Sequence, residues 1–554
     1  MEPKSPSKIK ISIMGFTRYK RVMRLCIVSL LILLLLAGGY LAFKPTKACD
    51  FYTVVVDCGS TGTRVNVYKW KTRNSGDWDL PILEHSYPDD ATVSLFSRSS
   101  CKYHCMQTEP GLDKFVGNTT GVRLSLAPLM QWAGRWVPLE RHGETPIFVL
   151  ATAGLRRLPI EDARLVLDDV EHVLKEHSFV YRRSWIRILS GREEAYYGWV
   201  ALNYKMGNLG NSSESPTLGL LDLGGSSLQI VIEVYDGARD NMHLIQTKIG
   251  SVEHQIFASS LPSFGLNEAF DRTVAMLHQL QPIKGSTDEK IKLRHPCLRS
   301  DFLQNYTCYA CDLPNLIHKK SLSGQSHKSE YIYLVGDPDW EKCKVIARAA
   351  ATNSSSLDWS HSQPTFHANC EARLSSSNGS DILNLIAYSS RRFHALSGFF
   401  AVYNTLDLVR ANLTEIWEKG EQLCLESWDD SSNISRTQNY FGQYCFRVPY
   451  MVSLLEDALC LGDKEIVFGP GNISWTLGAA LVEGEYLWLS FSRTSISSLK
   501  IMDVIASPVF VFLLLLSLLF IVYCSQIKLP VLGKRVTAVG PSLPPYLYPK
   551  RRPN

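Results

Sequence analysis

The feature that most constrains the fold of this 554-residue chain is a pattern that occurs twice: an apolar run leads into an aspartate and a loop of Gly with Ser or Thr. In the first copy, residues 51–56 precede Asp57, and in the second copy, residues 217–221 precede Asp222. A second strand-like run follows the loop in both copies. Short apolar runs bounded by turn residues are typical of buried strands. The sequence therefore predicts a rough internal duplication with two related half-sites that face each other across a cleft.

Strands and helices alternate between the two copies. Residues 147–150 and 186–189 are short apolar runs typical of strands, and a helix is predicted to begin near Glu193. Residues 161–176 place apolar side chains at helical intervals. The residues predicted to be buried on this helix are Ala163, Val166, Leu167, Val170, Val173 and Leu174. Strands that alternate with helices predict an α/β fold.

Two uncharged apolar runs flank this region. Residues 25–43 and 504–524 are each close to the roughly 20 residues that cross a bilayer as a helix. A cleaved signal peptide is the alternative for the first run, but this run is longer than a typical signal core and no small-residue cleavage site follows it cleanly. Lys and Arg dominate the tails 1–24 and 525–554, which places both termini in the cytosol. We therefore predict a two-span protein in contact with membrane lipid, with a lumenal or extracellular central segment.

The basic tails account for the net charge of the chain. Each tail carries a net charge of +6 while the whole chain carries +5, so the segment between them is acidic, at about −7. The sequence pI of about 8.4 therefore reflects topology. It gives no support for nucleic-acid binding.

Sequons and cysteines fit an oxidising compartment. All eight Asn-X-Ser/Thr sequons and 12 of the 14 cysteines fall between the predicted spans. Disulfides are the default expectation for such cysteines. Zinc is the alternative for Cys308 and Cys311, although one Cys-x-x-Cys pair without a second is a weak zinc signal. The sequon asparagines are Asn118, Asn211, Asn305, Asn353, Asn378, Asn412, Asn433 and Asn472.

The two loops have the chemistry of phosphate-binding sites. Residues 57–64 and 222–229 combine glycines, which permit tight turns, with hydroxyl groups and consecutive N–H groups that can hold phosphate oxygens. Asp57 and Asp222, at the strand ends, are suited to hold a hydrated Mg²⁺ or Ca²⁺. Neither loop is a Walker A or dinucleotide-binding fingerprint, because a strand follows where those motifs have a helix.

A pair of glutamates supplies a candidate general base. Glu193 and Glu194 lie in the segment 190–199, just past a predicted strand, as does the segment 151–156. A carboxylate at this place can orient and deprotonate a water molecule. The alternative is that acidic residues at a helix start act only on the helix dipole.

Five segments in this order resemble the five conserved regions of the nucleoside triphosphate diphosphohydrolase (apyrase) family. They are Asp-Cys-Gly-Ser-Thr-Gly-Thr-Arg at 57–64, Ala-Thr-Ala-Gly-Leu-Arg at 151–156, Ser-Gly-Arg-Glu-Glu with its Tyr-Gly-Trp at 190–199, Asp-Leu-Gly-Gly-Ser-Ser at 222–227 and Trp-Thr-Leu-Gly-Ala at 475–479. The resemblance covers about residues 51–482, and the predicted spans fit the membrane-bound branch of the family. It implies an actin-like fold of two ribonuclease-H-like lobes, with a nucleoside tri- or diphosphate and Ca²⁺ or Mg²⁺ in the cleft between them.

The resemblance also implies domain limits. Residues 48–189 together with 464–485 would form lobe I, which carries the first phosphate loop. Residues 190–463 would form the Cys-rich lobe II, which carries the second. The family's membrane-proximal loop resembles the region that contains Cys424 and Cys445, and this resemblance pairs the two cysteines.

The resemblance assigns roles to single residues. Asp57 and Asp222 match the aspartates that hold the metal through water molecules, and Glu194 matches the catalytic base. Thr152 and Gln229 match residues that position the attacking water and the water shell of the metal. The predicted phosphate contacts are Ser60, Thr61, Gly62, Thr63, Gly224, Gly225, Ser226 and Ser227. Water would attack the terminal phosphorus directly, with electrostatic stabilisation as the main catalytic effect and no phosphoenzyme.

Three residues depart from the family pattern. Cys58 stands where Ala or Gly is usual, Ala195 replaces a Gly, and Leu228 replaces a Thr. We expect intact loop backbones and an altered efficiency. We also expect Cys58 to be a free thiol beside the phosphates.

Base recognition is less clear in the sequence. Residues 394–401 resemble the family stretch near the base, but the Tyr that often follows is missing. Phe399 or Phe400 is a candidate to stack on a base, and a core position is the alternative for both. Arg64 and Arg156 are open between phosphate contact and structural pairing.

Competing functions use the same motifs. A sugar kinase of the same superfamily needs a second-substrate pocket with its own base, and a cytosolic chaperone ATPase would not carry two spans and eight sequons. A membrane glycoprotein that binds nucleotide without hydrolysing it is the alternative, although intact Glu194 and both aspartates favour an enzyme. The base preference, the choice between tri- and diphosphates, the compartment and a homo-oligomer formed through the spans are left open.

Overall fold

The structure, a computed structural model, describes most of the segment between the two apolar runs. The described residues are 50–71, 80–87, 106–209, 215–234, 244–280, 292–306, 332–352, 370, 392–408, 412–429, 443–487, 515 and 518–519. Those from 50 to 487 belong to one structural unit, 48–492. The predicted spans lie outside the described residues, apart from the three helical positions in the second span. Within the described ranges, no helix has the length and apolar character that a membrane crossing requires.

The first of two large sheets holds the first phosphate loop. Its strands are β1 (Asp50–Cys58), β2 (Thr63–Lys71), β3 (Ile82–Tyr87), β4 (Gln107–Thr108), β5 (Ile147–Ala151) and β6 (Ile186–Ile188). The order is β3-β2-β1-β5-β6, and the short β4 pairs with β2. Strand β2 is antiparallel to both β1 and β3, whereas β5 runs parallel to β1 and β6 runs parallel to β5.

The second large sheet repeats this topology. The remaining strands are β7 (Gly219–Leu223), β8 (Ser227–Glu233), β9 (Leu244–Ile249), β10 (Val252–Pro262), β11 (Lys292–His295), β12 (Leu303–Tyr306), β13 (Ile332–Gly336), β14 (Phe393–Ser397) and β15 (Ile466–Phe468). The order β15-β14-β7-β8-β10-β9 matches that of the first sheet, with β9 added at the edge. Here too the first hairpin is antiparallel and the last two strands run parallel to its first strand. The predicted internal duplication is therefore confirmed.

Helices cover the sheets and cross between them. The helices are α1 (Thr119–Trp136), α2 (Ala153–Arg156), α3 (Ile160–Leu174), α4 (Gly191–Lys205), α5 (Leu266–Leu280), α6 (Trp340–Thr352), α7 (Gly398–Thr405), α8 (Leu413–Asp429), α9 (Tyr444–Ser453) and α10 (Trp475–Glu483). Short 3₁₀ helices span Leu112–Lys114, Leu139–Glu144 and Arg183–Trp185, and a π-helix spans Leu454–Ala458. All six positions predicted to be buried on α3 are buried.

Two helices join the lobes. Helix α4 follows the last strand of the first sheet but packs on the second, and α10 follows the last strand of the second sheet but packs on β1. The predicted return to lobe I at residue 464 is therefore too early, because β15 is hydrogen-bonded to β14 in the second sheet. The chain crosses back only after Phe468. The crossing of α4 and α10 forms the connection between the two lobes.

The central part of β1 is mostly apolar, and both of its faces are buried. Val54 and Val56 pack among α1 and α3, whereas Val55 packs on the side of α10. Successive side chains of a strand point to opposite faces. Such a strand has the continuous apolar sequence seen at 51–56.

Disulfides and sequon asparagines can be located among the described residues. The disulfides among the described residues are Cys297–Cys343, Cys370–Cys460 and Cys424–Cys445. The pairing of Cys424 with Cys445 is thus confirmed, while Cys308 and Cys311 lie outside the described residues. Four sequon asparagines fall within the described ranges and all are exposed; they are Asn118, Asn305, Asn412 and Asn472.

Gly478 lies at a close approach between α10 and the backbone of α4. A Cβ atom at Gly478 would lie 1.9 Å from the carbonyl oxygen of Tyr197. Gly478→Ala is therefore expected to destabilise the protein by about 1–3 kcal/mol or more through overpacking. The matched control is Gly134→Ala, because a Cβ atom at Gly134 would meet only the His142 side chain, at 3.5 Å. This substitution is expected to stabilise helix α1 by about 0.5–1 kcal/mol. Thermal melts of both variants check the prediction, which is contradicted if Gly478→Ala melts like the wild type.

Candidate functional site

The two predicted phosphate loops face each other. Each lies between the first two strands of its sheet, at the carboxyl end of β1 or β7. The hydroxyl oxygens of Ser60 and Ser226, which are 166 residues apart, lie 3.1 Å from each other. Ser60 and Thr61, like residues 224–226, are only partly buried, so they are accessible to a ligand. The structure thus brings the two predicted half-sites together.

The first loop is a tight turn held by Arg64. The N–H of Gly59 donates to the carbonyl oxygen of Gly62 at 3.0 Å. The Arg64 guanidinium donates to Asp57 Oδ2 at 3.4 Å and to Thr61 Oγ1 at 3.3 Å, and its Nε donates to Gln107 Oε1 at 2.9 Å. Arg64 therefore has a structural pairing role in this structure, one of the two options left open above.

Gly62 and Thr63 do not face the second loop. A Cβ atom at Gly62 would lie 2.6 Å from the carbonyl oxygen of Thr108, on the side of strand β4. Thr63 is fully buried in β2. Of the predicted contacts in the first loop, Ser60 and Thr61 are therefore the accessible ones, because the two residues that follow pack inside lobe I.

The second loop rests on the start of helix α5. The N–H of Leu266 donates to the carbonyl oxygen of Gly224 at 3.0 Å, and that of Asn267 donates to the carbonyl oxygen of Gly225 at 2.9 Å. Ser227 is buried, and its hydroxyl accepts a 2.7 Å hydrogen bond from Gln229 Nε2. The hydrogen bonds of α5 fix the loop backbone, and Ser226 is left at the surface of the cleft.

Asp57 and Asp222 form an electrostatic pair beside the two loops. Burial raises the pKa of both carboxyl groups, and the charge of Asp57 raises the pKa of Asp222 further. Asp57 Oδ1 is buried and has no hydrogen-bond partner among the described residues. Ser397 donates a hydrogen bond to Asp222. One buried and one partly buried acid, the former with an orphaned oxygen, have the chemistry of a site for a hard divalent cation.

The described residues hold no group of three or more His, Cys, Asp or Glu side chains that would bind a metal directly. Two carboxylates alone leave most of the coordination positions of Mg²⁺ or Ca²⁺ to water and to substrate phosphates. This donor set fits the prediction that Asp57 and Asp222 hold the cation through water molecules. The residues present are therefore compatible with a bound cation.

Glu194 lies in the same cleft with a perturbed pKa. Burial raises the pKa of its carboxyl group to about 7, the Arg156 guanidinium opposes this rise, and the charges of Asp57 and Asp222 add to it. Arg156 Nη2 donates to Glu194 Oε2 at 2.5 Å. Thr152, at the start of helix α2, is buried next to the first loop, since its N–H donates to the carbonyl oxygen of Cys58. A carboxyl group with a pKa near 7 can accept a proton from water at neutral pH.

Glu193 has a different role from its neighbour. Its carboxylate accepts from the N–H of Ser190 at 2.8 Å, and the Ser190 hydroxyl accepts from the N–H of Glu193, which completes a capping box. Arg187 bridges Glu193 at 2.6 Å and Glu483 of α10 at 2.9 Å. The pair of glutamates is thus divided: Glu193 fixes the start of α4, and Glu194 faces the two aspartates.

The prediction that Cys58 lies beside the phosphates is wrong. Cys58 is a free thiol, but it is fully buried among the side chains of α1 and α3. Because Asp57 faces the cleft, the next side chain of β1 faces the opposite way. Burial raises the pKa of the thiol well above its usual value. Ala195 and Leu228 are likewise fully buried in the hydrophobic cores.

Phe399 and Phe400 differ in exposure. Phe399 is fully buried in the core of lobe II. Phe400 is partly exposed and packs on the loop after β15, where a Cβ atom at Gly471 would lie 2.1 Å from its ring. His394 Nδ1 bonds the carbonyl oxygen of Gly469 in the same loop at 2.7 Å. The sequence could not separate the two phenylalanines because both belong to one apolar run.

Several residues of the site were not predicted. Ser397 contacts Asp222, and the segment after β4 packs behind the first loop, since a Cβ atom at Gly111 would lie 2.7 Å from the carbonyl oxygen of Ser60. The Pro110–Gly111 pair was the only sequence signal for this segment. Asp113 in the same segment has a buried oxygen without a partner among the described residues.

Known proteins are similar to this chain over the region that contains the site. The model of the GDA1/CD39 (nucleoside phosphatase) family matches residues 44–491. "Probable apyrase 7" of Arabidopsis thaliana is 37% identical over 506 residues, which cover 90% of this chain and 65% of that protein. "Ectonucleoside triphosphate diphosphohydrolase 1" of Mus musculus is 25% identical over 518 residues, which cover 87% of this chain and 89% of that protein. This chain thus spans about two thirds of the length of the Arabidopsis relative.

A solved structure shares the fold. The crystal structure of nucleoside triphosphate hydrolases from Neospora caninum matches with a TM-score of 0.52 at 15% identity, over 83% of this chain and 96% of that one. At this identity the likeness concerns the fold alone. Together with the repeated strand order, it confirms the predicted actin-like α/β fold of two lobes.

Proposed function

Because this chain belongs to the GDA1/CD39 (nucleoside phosphatase) family, we propose that it hydrolyses the terminal phosphate of nucleoside tri- or diphosphates by direct attack of water. Membership of this family bears out the predicted relationship and the prediction that the chain is an enzyme. The proposal for the reaction rests on one observation above all. Glu194, with a pKa of about 7, lies beside two aspartates where two phosphate-binding loops meet.

The residues divide the work of the reaction. Ser60, Thr61 and the loop 224–226 bind the phosphate oxygens through hydroxyl and backbone N–H groups. Glu194 accepts the proton of the attacking water, and Arg156 holds its carboxylate in one orientation. Because in-line attack needs fixed geometry and little covalent chemistry, positioning and charge stabilisation carry most of the rate.

Gln229 and Thr152 act around the water molecules. Gln229 is held by Ser227 at 2.7 Å beside Asp222, which pairs with it across β7 and β8. The resemblance gives both residues roles in ordering the attacking water and the water shell of the cation. Bound Ca²⁺ or Mg²⁺ would neutralise the charge of the phosphate oxygens. Asp57 and Asp222 are the residues that would hold it.

The base of the nucleotide is proposed to stack on Phe400. This side chain belongs to the first turn of α7, directly after Ser397, which contacts Asp222. The base would therefore lie on the β14 side of the second loop. An aromatic ring can stack on the face of any base. This contact therefore positions the nucleotide, and other residues select the base.

The cellular setting is also a proposal. We keep the two apolar runs at 25–43 and 504–524 as membrane spans in contact with lipid, with both termini in the cytosol and the described domain lumenal or extracellular. Four exposed sequon asparagines and three disulfides support an oxidising compartment. A homo-oligomer formed through the spans is compatible with this topology.

The test is phosphate release by the full chain, purified in detergent, from a panel of nucleoside tri- and diphosphates. Each substrate is assayed with Ca²⁺, with Mg²⁺ and with a chelator. We expect cation-dependent release of orthophosphate, and the panel gives the preferred base and phosphate number. Nucleotide binding without any release would favour the alternative, a non-catalytic nucleotide-binding glycoprotein.

A further inference from the structure

A salt bridge between Arg157 and Glu268 joins the two lobes beside the phosphate loops. We propose that Arg157 and Glu268 form the exit for the orthophosphate product, in which Arg157 exchanges the Glu268 carboxylate for the departing phosphate. This proposal rests on the proposed hydrolysis. It adds a release step, with its own residues, to the site described above.

The pair is placed directly behind both loops. Arg157 follows helix α2 in lobe I and is adjacent to Arg156, which holds Glu194. Glu268 belongs to the first turn of α5 in lobe II, and its N–H donates to the carbonyl oxygen of Gly225 at 3.3 Å. Arg157 Nη1 donates to Glu268 Oε1 across the cleft. The bridge is therefore connected to the catalytic base on one side and to the second phosphate loop on the other.

The Arg157–Glu268 bridge and Phe400 lie on different sides of the second loop. Phe400 follows β14, which lies on one side of β7, whereas Glu268 follows β10, which lies on the other side of β7 beyond β8. A nucleotide whose base stacks on Phe400 therefore enters from the β14 side. The terminal phosphate is the part of that nucleotide farthest from the base, so it lies nearest to the bridge.

The narrow space between the loops favours release of orthophosphate past Arg157 and Glu268. Ser60 and Ser226 are 3.1 Å apart, so the space between the loops is narrow. After cleavage, the shortened nucleotide still occupies the β14 side, in front of the orthophosphate. On the opposite side, the side chains of Arg157 and Glu268 form a salt bridge between the lobes.

Arg157 has the chemistry for the exchange. Its side chain is 44% exposed, whereas that of Glu268 is 9% exposed. A guanidinium has five N–H donors and binds carboxylate and phosphate with the same planar geometry. When Arg157 turns to the phosphate, the nearly buried Glu268 carboxylate loses its salt bridge and keeps the weaker interaction with the charge of Arg272, which is costly. This cost returns Arg157 to Glu268, and the phosphate is released.

Two neutral substitutions separate the roles of the partners. In Glu268→Gln, Arg157 has no competing carboxylate, so orthophosphate should bind about tenfold more tightly as a product inhibitor. In Arg157→Gln, the phosphate loses a charged donor, so orthophosphate inhibition should be about tenfold weaker. A bridge that only stabilises the closed lobes would move both variants in the same direction.

The matched control is Arg183→Gln, which removes an arginine of equal exposure that pairs with Asp168 at 2.7 Å on the surface of lobe I. Its inhibition constant for orthophosphate should equal that of the wild type. A fluorescent phosphate sensor gives a second readout, because release after the first turnover should slow in Glu268→Gln and quicken in Arg157→Gln.

The inference is overturned if the two variants shift orthophosphate inhibition in the same direction, or if neither shifts it. Failure of the proposed function has another signature, since the wild type would then release no phosphate from any nucleotide. In that case, calorimetry with inorganic phosphate on the same variants still decides the role of Arg157. Equal affinities in wild type and Arg157→Gln would exclude it as a phosphate contact.

Discussion

Replacing Glu194 with glutamine is expected to lower kcat for nucleotide hydrolysis about 10²–10⁴-fold, the usual contribution of a general base. The amide has nearly the same shape and can still accept a hydrogen bond from Arg156, but it cannot take a proton from water. Substrate binding should change little because no phosphate contact is removed. The measurement is the steady-state rate of phosphate release across a range of nucleotide concentrations.

The matched control is Glu193→Gln, one residue away on the same helix. Glu193 caps α4 and pairs with Arg187, so its loss should lower the melting temperature and leave kcat within a few-fold of the wild type, as is typical for a cap. If both variants lose activity equally, the assignment of Glu194 as the base is untenable.

The pH profile gives an independent check on the same residue. A general base works only when it is deprotonated, and burial raises the pKa of Glu194 to about 7. The kcat/KM of the wild type should therefore rise with pH and level off above about 7. In Glu194→Gln, the residual activity should lack this acidic limb.

Asp57→Asn is expected to have the second largest effect, because it removes one of the two charges proposed to hold the divalent cation. The remaining carboxylate, Asp222, offers the cation much less charge than the pair does. We expect cation affinity about 10- to 100-fold weaker, on the scale of losing a hydrogen-bonded residue of a metal site. Titration of activity with Ca²⁺ and Mg²⁺ should show partial recovery at high cation concentration.

The control for Asp57→Asn is Asp457→Asn. Asp457 is another largely buried aspartate with an arginine partner, Arg348 at 3.1 Å, in a part of lobe II away from the loops. This variant should lose stability but keep the wild-type cation dependence. Asp57→Asn should in addition move the acidic limb of the pH profile to lower pH, since the charge of Asp57 raises the pKa of Glu194. An unchanged cation titration would refute the proposed role of Asp57.

The elements that the sequence predicts well are those whose pattern depends on neighbours in the chain. Strand β1, its loop and β2 follow from one apolar run, two glycines and a second run, and the buried face of α3 follows from helical spacing. The prediction that the Cys58 thiol lies beside the phosphates is wrong for a specific reason. Both faces of β1 are buried, so composition does not tell which face carries the site, although the alternation of side chains from Asp57 does.

Contacts between distant parts of the chain could not be predicted. Arg157 and Glu268 are 111 residues apart and Ser397 is 175 residues from Asp222. Neither pair belongs to a motif with fixed spacing. The bridge forms because Arg157, which follows helix α2 of lobe I, and Glu268, in the first turn of α5 of lobe II, meet across the cleft. The separation of the two residues in the sequence does not predict this salt bridge.

Because β1 and β6 run in the same direction, their first residues lie at the same edge of the sheet, and this position matters for anything attached to the ends of the domain. Asp50 begins β1 and Asp57 lies near its other end, about 23 Å away at the usual rise per residue. Tyr486, near the last described residue of the unit, stacks on Trp185, just before β6 begins. Both ends of the domain therefore depart from the edge of the first sheet that is remote from the loops. A linker, an affinity tag or an immobilised surface joined at either end should leave the mouth of the cleft open to nucleotides that arrive by diffusion.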